Sequence, residues 1–119
     1  MTLNENEALT LEEIELGRDI LLIIKGGEVH IGAVSTAYVT QGKIEVETTS
    51  IPGHKEYLLT EKFARQCAEQ LCRTVTVVMG IHYDHLQRYD IERIIILAEK
   101  RVDEYLKQVS DGSISSTEC

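Results

Sequence analysis

Four histidines, His30, His54, His82 and His85, are the side chains best suited to chemistry in this sequence. Glycine stands near three of them. Gly26-Gly27 comes shortly before His30, Pro52-Gly53 leads into His54-Lys55, and Gly80 opens the stretch Gly80-Ile81-His82-Tyr83-Asp84-His85. An imidazole donates, accepts or carries a proton near neutral pH. Glycine lets backbone come close to a ligand, and Lys55 adds a charge-assisted donor. Such a set suits an anionic ligand held by local devices. His82, Asp84 and His85 also offer metal-compatible donors, but an HxxH spacing without a helix register specifies no site, and no metal ligand is assigned. No serine or cysteine sits in a nucleophile elbow, so no catalytic residue is assigned either. Taken singly, each feature has a plainer reading: Gly26-Gly27 as a hairpin turn, Pro52-Gly53 as a tight turn, His30 as a satisfied strand histidine, and His85 as a capping or solvent-facing residue.

The elements that must position these residues follow from the hydrophobic pattern. Residues 1–9 are polar and read as frayed. A first strand covers Leu11–Leu16 and turns at Gly17-Arg18. The run DILLIIK, Asp19–Lys25, barely alternates, as expected of a strand covered on both faces. Gly26-Gly27 then signals a hairpin into a third strand, Val29–Val39, in which Gly32 marks close approach of another group. Gln41-Gly42 turns the chain into a fourth strand, Lys43–Ile51. A helix follows over Tyr57–Cys72, with Leu59, Phe63, Cys67 and Leu71 on one stripe beside Ala64 and Ala68. Cys67 and Cys72 read as small core residues. Thr74–Ile81 is a fifth strand, and a last helix runs over Tyr89–Gln108, burying Ile91, Ile94, Ile95, Ala98, Val102, Tyr105 and Leu106.

The order β-β-β-β-α-β-α predicts an α+β two-layer sandwich, a five-stranded mixed sheet with two helices on one face. The expected organisation is one domain over residues 1–109 and a polar, disordered tail over 110–119. Tight connections alternate the directions of strands two, three and four, and a helical connection makes strands four and five parallel. Gly26-Gly27, His30, Pro52–Lys55 and Gly80–His85 then fall on one edge of the sheet. Two loops on that edge lead into helix N-termini, whose free N–H groups suit phosphate or carboxylate. The apolar second strand leaves the sheet's other face in need of cover, and a second copy of the chain, as a homo-oligomer, is the expected source.

The chain has 119 residues and a net charge of −8, from 20 acids against 12 bases. That length allows one domain with a real core. The acidic balance and the lack of a basic cluster exclude a nucleic-acid surface. No apolar run is long enough for a membrane span, and the acidic start MTLNENEALTLEEIEL lacks the apolar stretch of a signal peptide. The expected location is the cytoplasm. No CxxC pair supports a zinc knuckle or a redox motif.

Three segments carry a resemblance: GRDILLIIKGGEVHIGAV at Gly17–Val34, IPGHKE at Ile51–Glu56, and VVMGIHYD at Val77–Asp84. With them the chain resembles the LpdD-like family, proteins similar to the small D component of gallate decarboxylase, over residues 15–107. The resemblance implies a chaperone for prenylated FMN, the cofactor of UbiD-type decarboxylases, rather than a decarboxylase. It implies prenylated FMN as cargo, with plain FMN as a second candidate, and a UbiD-type partner. Pro52, Gly53, His54, Lys55, Gly80, Ile81 and His82 carry the motif. We expect Lys55, His54 and the helix start at the cofactor phosphate, His30 and His82 near the ring or ribityl chain, and Tyr83 as the stacking aromatic. Two other readings stay open: a small enzyme using the histidines for acid–base or metal chemistry, and a structural component of a decarboxylase that binds no flavin.

Overall fold

The computed structural model describes residues 8–112. Five strands, β1 (Thr10–Leu16), β2 (Asp19–Gly27), β3 (Ala33–Thr40), β4 (Lys43–Ser50) and β5 (Val75–His82), form one mixed sheet with two helices, α1 (Tyr57–Leu71) and α2 (Arg88–Gly112). This is the α+β order expected from the hydrophobic pattern. The strand order across the sheet is β1-β2-β5-β3-β4. Two tight hairpins build its flanks. Leu16 pairs with Asp19 across Gly17-Arg18, and Thr40 pairs with Lys43 across Gln41-Gly42. In the second turn both central residues have positive φ, 51° and 77°, as a type I′ hairpin requires.

The expected hairpin at Gly26-Gly27 is not one. The most β-prone strand, β5, enters between β2 and β3, parallel to the first and antiparallel to the second. Gly26 and Gly27 extend β2 and pair with Ile81 and His82. A side chain at Gly26 would collide with the Ala8 carbonyl, 2.3 Å from an ideal Cβ. Here the glycines serve close packing instead of chain reversal. The third strand also starts later than expected, at Ala33, because residues 28–32 cross over the end of β5 as a strap. The Glu28 N–H donates to the His82 carbonyl at 2.9 Å, and the Gly32 N–H donates to the Met79 carbonyl at 3.0 Å.

The core lies between the sheet and the helices. Ile20, Leu22 and Ile24 of β2 and Val75, Val77 and Met79 of β5 face Phe63, Ala64, Cys67 and Ala68 of α1 and Ile94, Leu97, Ala98, Val102 and Leu106 of α2. The i, i+4 stripe read for α1 is therefore the buried one. On β3 the core positions are small, Ala33, Ser35 and Ala37, all fully buried. Ser35 Oγ bonds Thr60 Oγ1 at 2.8 Å and Thr48 Oγ1 at 2.7 Å, so the polar atom costs little. Four local expectations need correction. Ala8 and Leu9 are buried instead of frayed. Cys72 leaves the core face and ends α1 in a left-handed conformation, φ 55°. Ile91 is 49% exposed instead of buried. Helix α2 continues through Gly112, past the expected end at Gln108. The rest of the expected tail, 113–119, lies outside the described residues, as do residues 1–7.

The other face of the sheet carries Ile14 and Leu16 of β1, both exposed, beside the half-buried Leu21 and Ile23 of β2. No helix among the described residues is long and apolar enough to cross a membrane.

Candidate functional site

Although β2 and β3 are not neighbours, their directions alternate as expected, so the predicted sheet edge exists. The strap delivers His30 to it. A turn after β4 delivers His54: the His54 N–H donates to the Ile51 carbonyl at 3.1 Å, with Pro52 and Gly53 at its centre and Gly53 at φ 87°. Proline before a positive-φ glycine is the chemistry of a type II turn. β5 ends in His82. The His30 and His54 rings lie 4.4 Å apart between centroids, and the His30 and His82 rings 6.0 Å apart, nearly edge to face.

The group that joins the histidines is one the sequence reading passed over, Glu56. Its Oε2 lies 3.3 Å from His30 Nε2, and its Oε1 lies 3.9 Å from His54 Nδ1. His30 Nε2 is also 3.2 Å from His54 Nδ1. The Ile81 N–H donates to Glu56 Oε2 at 3.5 Å. The carboxylate is 14% exposed. It sits where a side chain at Gly32 would otherwise be, with Oε2 2.0 Å from an ideal Cβ there. The close approach read at Gly32 thus has its partner. Gly80 plays the matching part below the strap: a Cβ there would lie 1.4 Å from the His30 carbonyl oxygen. The room that Gly80 leaves is filled by the strap itself.

The remaining sequence-predicted residues fall around this cluster. His82 Nε2 pairs with Asp84 Oδ1 at 3.1 Å in an exposed setting. Lys55 is exposed and lines one end of an apolar cleft. Tyr83 bonds through its hydroxyl to the Ala8 carbonyl and packs on Gly26 and Gly27, away from that cleft. Burial raises its pKa, partly offset by a backbone hydrogen bond from Gly27. His85 is exposed, with φ 61°.

The cleft has a volume of about 450 Å³ and runs between α1 and α2 over the end of β5. Leu59, Met79, Ile81, Leu86, Ile94 and Ile95 line it, with Leu58 and Ile91 exposed at its rim and Lys55 and Glu56 at the histidine end. This size and lining suit a small organic ligand. A larger groove of about 780 Å³ lies elsewhere, lined by Glu13, Arg101, Glu104, Lys107 and other residues. It is more charged and shares no residue with the histidine edge.

The two helix starts differ from the expected pair of anion seats. At α2 the seat is filled from within, because the Gln87 N–H donates to Asp90 Oδ2 at 3.0 Å. At α1 the N-cap residue is Glu56, whose side chain makes no cap hydrogen bond, and its carboxylate already brings negative charge to that end. The available donors there are Lys55 and the histidines.

The structure is thus a small two-layer α+β domain whose sheet edge gathers histidines beside an apolar cleft. The chain belongs to the prenylated flavin chaperone LpdD-like family, whose domain matches residues 3–110. It is similar to Protein LpdD of Lactiplantibacillus plantarum, 29% identical over 79 residues, a stretch covering 64% of this chain and 58% of that relative. The chain therefore matches less than two thirds of the relative's length. These matches agree with the resemblance carried by the GRDILLIIKGG, IPGHKE and VVMGIHYD segments.

Proposed function

We propose that this protein binds prenylated FMN as cargo in the cytoplasm and hands it to, or matures it with, a UbiD-type aromatic acid decarboxylase. The observation that carries the reading is the cleft of about 450 Å³ opening at its polar end onto Lys55, Glu56 and the histidine cluster, in a chain of the prenylated flavin chaperone family. A flavin has the same division, an apolar ring system and an anionic phosphate. The ring system fits among Leu59, Met79, Ile81 and Ile95. The phosphate fits beside Lys55 and His54, where protonated nitrogen donors are strong partners. Pro52 and Gly53 set the turn that presents His54. His30, Gly80, His82 and Tyr83 shape the edge around it.

The test is an anaerobic titration of the protein with reduced prenylated FMN and, separately, plain FMN, followed by absorbance and calorimetry. Saturable binding of the prenylated form, weakened at least about tenfold by Lys55→Ala and by Ile95→Asp in the cleft, is the expected result. Absence of binding in every redox state would remove the reading. Plain FMN binding as tightly would make the protein a general flavin carrier.

The exposed Ile14 and Leu16 beside Leu21 and Ile23 on the outer sheet face support a second copy of the chain as its cover, in line with the homo-oligomer expectation. Sedimentation of the protein and of Leu16→Glu checks this: the substitution should shift a dimer to monomer.

A further inference from the structure

We propose that His30, His54 and Glu56 form a binding site for one divalent transition-metal ion of the zinc or ferrous type, with a coordination position left open. The site does not depend on flavin binding.

Three electron-rich atoms converge at the cluster. His30 Nε2 lies 3.2 Å from His54 Nδ1 and 3.3 Å from Glu56 Oε2, and the other carboxylate oxygen, Oε1, lies 3.9 Å from His54 Nδ1; the three residues form a group able to hold a metal. Four ligands at about 2.0–2.1 Å from a tetrahedral ion stand about 3.3–3.4 Å apart. The two separations from His30 Nε2 match that edge, and one ligand atom from each of the three residues lies within 4.8 Å of the others. Two imidazoles and one carboxylate are a ligand set used by zinc with a water in the fourth position, and by ferrous iron with several open positions.

The surroundings favour this role. His30 Nδ1 faces the Glu28 carbonyl at 3.4 Å. When Nδ1 carries the proton and donates to that oxygen, the Nε2 lone pair points into the cluster, the second contact typical of a metal-bound histidine. Glu56 is likewise held from behind by the Ile81 N–H. When His54 likewise carries its proton on Nε2, three lone-pair atoms face one another at 14–33% side-chain exposure, an arrangement that a cation at its centre relieves. The ligands also come from separate places, the strap, the post-β4 turn and the N-cap of α1. Gly32 and Gly80 leave the space that lets them meet. The competing arrangement is a plain hydrogen bond in which the N–H of one ring donates to the other, and the experiment separates the two.

The full-length chain, carrying no polyhistidine tag, is stripped with a chelator and titrated with Co²⁺, followed by its visible absorption, and with Zn²⁺ by calorimetry. No flavin is added, so the result stands whichever way the flavin titration falls. The expected result is one ion per chain and the intense d–d bands of four-coordinate cobalt. Glu56→Gln and His54→Ala should each weaken binding by at least about 100-fold, while His82→Ala should change it less than about threefold. Circular dichroism of the metal-free variants checks that they fold, and the near-isosteric Glu56→Gln keeps the test valid should His54→Ala not. Absence of saturable one-to-one uptake of either ion would overturn the proposal in favour of the plain hydrogen bond. Uptake unaffected by Glu56→Gln would overturn it too.

Discussion

At the start of α2 an acidic side chain, Asp90, turns back and accepts the Gln87 N–H of its own helix. At the start of α1 an acidic side chain, Glu56, turns away from its helix and meets two histidines. Both helix starts follow a strand on the same edge of the sheet, and both place a carboxylate where the helix dipole favours one. The difference lies in what the carboxylate is given to do. Asp90 is 5% exposed and accepts the N–H of Gln87, the residue before the helix, half of a capping box. Glu56 leaves its own cap unmade and binds together residues far apart in sequence, from His30 on the strap to its own place on the helix. Glu56 thus makes no local cap bond and gives its carboxylate to long-range partners instead.

That contrast can be broken in several ways. The largest effect should come from Gly80→Ala. The new methyl would meet a backbone oxygen 1.4 Å away, so the strap must lift and take His30 from Glu56. Urea unfolding should show a loss of more than about 3 kcal/mol, in the range reserved for severe steric conflicts. Asp90→Ala comes next. It should cost about 1–2 kcal/mol by leaving the Gln87 N–H without its carboxylate, with flavin and metal affinity unchanged. Glu56→Gln should shift stability by less than about 1 kcal/mol, because a partly exposed polar contact contributes little net energy, while it weakens metal binding about 100-fold. If Glu56→Gln unfolded the protein as readily as Asp90→Ala, the two carboxylates would be doing the same work and the contrast would fail.

A further effect is shared by the two helices and appears at alkaline pH. On α1, burial pushes the Cys67 thiol up to about 12 from its ordinary 9.0. On α2, burial raises Tyr105 well above its ordinary value, and the Glu13 carboxylate bonded to its hydroxyl adds to this. Both groups keep their protons in the fold at a pH where the unfolded chain has lost them. Their contribution is fully present below the ordinary values and drains away as pH rises through the folded ones. Stability should fall by about 1 kcal/mol between about pH 8 and pH 9.5, measured by urea midpoints. Cys67→Ala should flatten most of that slope.

Much of this arrangement was legible in the sequence, for identifiable reasons. The convergence of His30, His54 and His82 needed only the alternation of strand directions, and that survives whether β2 and β3 are neighbours or flank β5. The core stripe Phe63-Ala64-Cys67-Ala68 follows from helical periodicity alone. The insertion of β5 was hidden because Gly26-Gly27 has the local chemistry of a hairpin, and only the depth of packing against Ala8 and His82 distinguishes the two uses. Glu56 was missed because the donors of IPGHKE stand out more than its one acid. A signal did exist: Gly32 announced a close neighbour, and its partner strand β4 runs straight into the turn that leads to Glu56. Ile91 read as core on periodicity, yet it stands exposed at the mouth of the cleft, a position where an apolar side chain serves a ligand better than it serves packing.

The placement of β5 also governs when the site exists. During synthesis the strap and the turn with His54 emerge well before residues 75–82. Until β5 arrives, β2 and β3 have no shared neighbour, and the strap has nothing beneath it to grip. The long-range pairing that closes the sheet is the slow kind of contact, made late because its loop must be ordered first. A nascent chain short of His82 therefore holds its histidines apart. Assembly of the histidine edge is confined to a chain whose sheet has already closed.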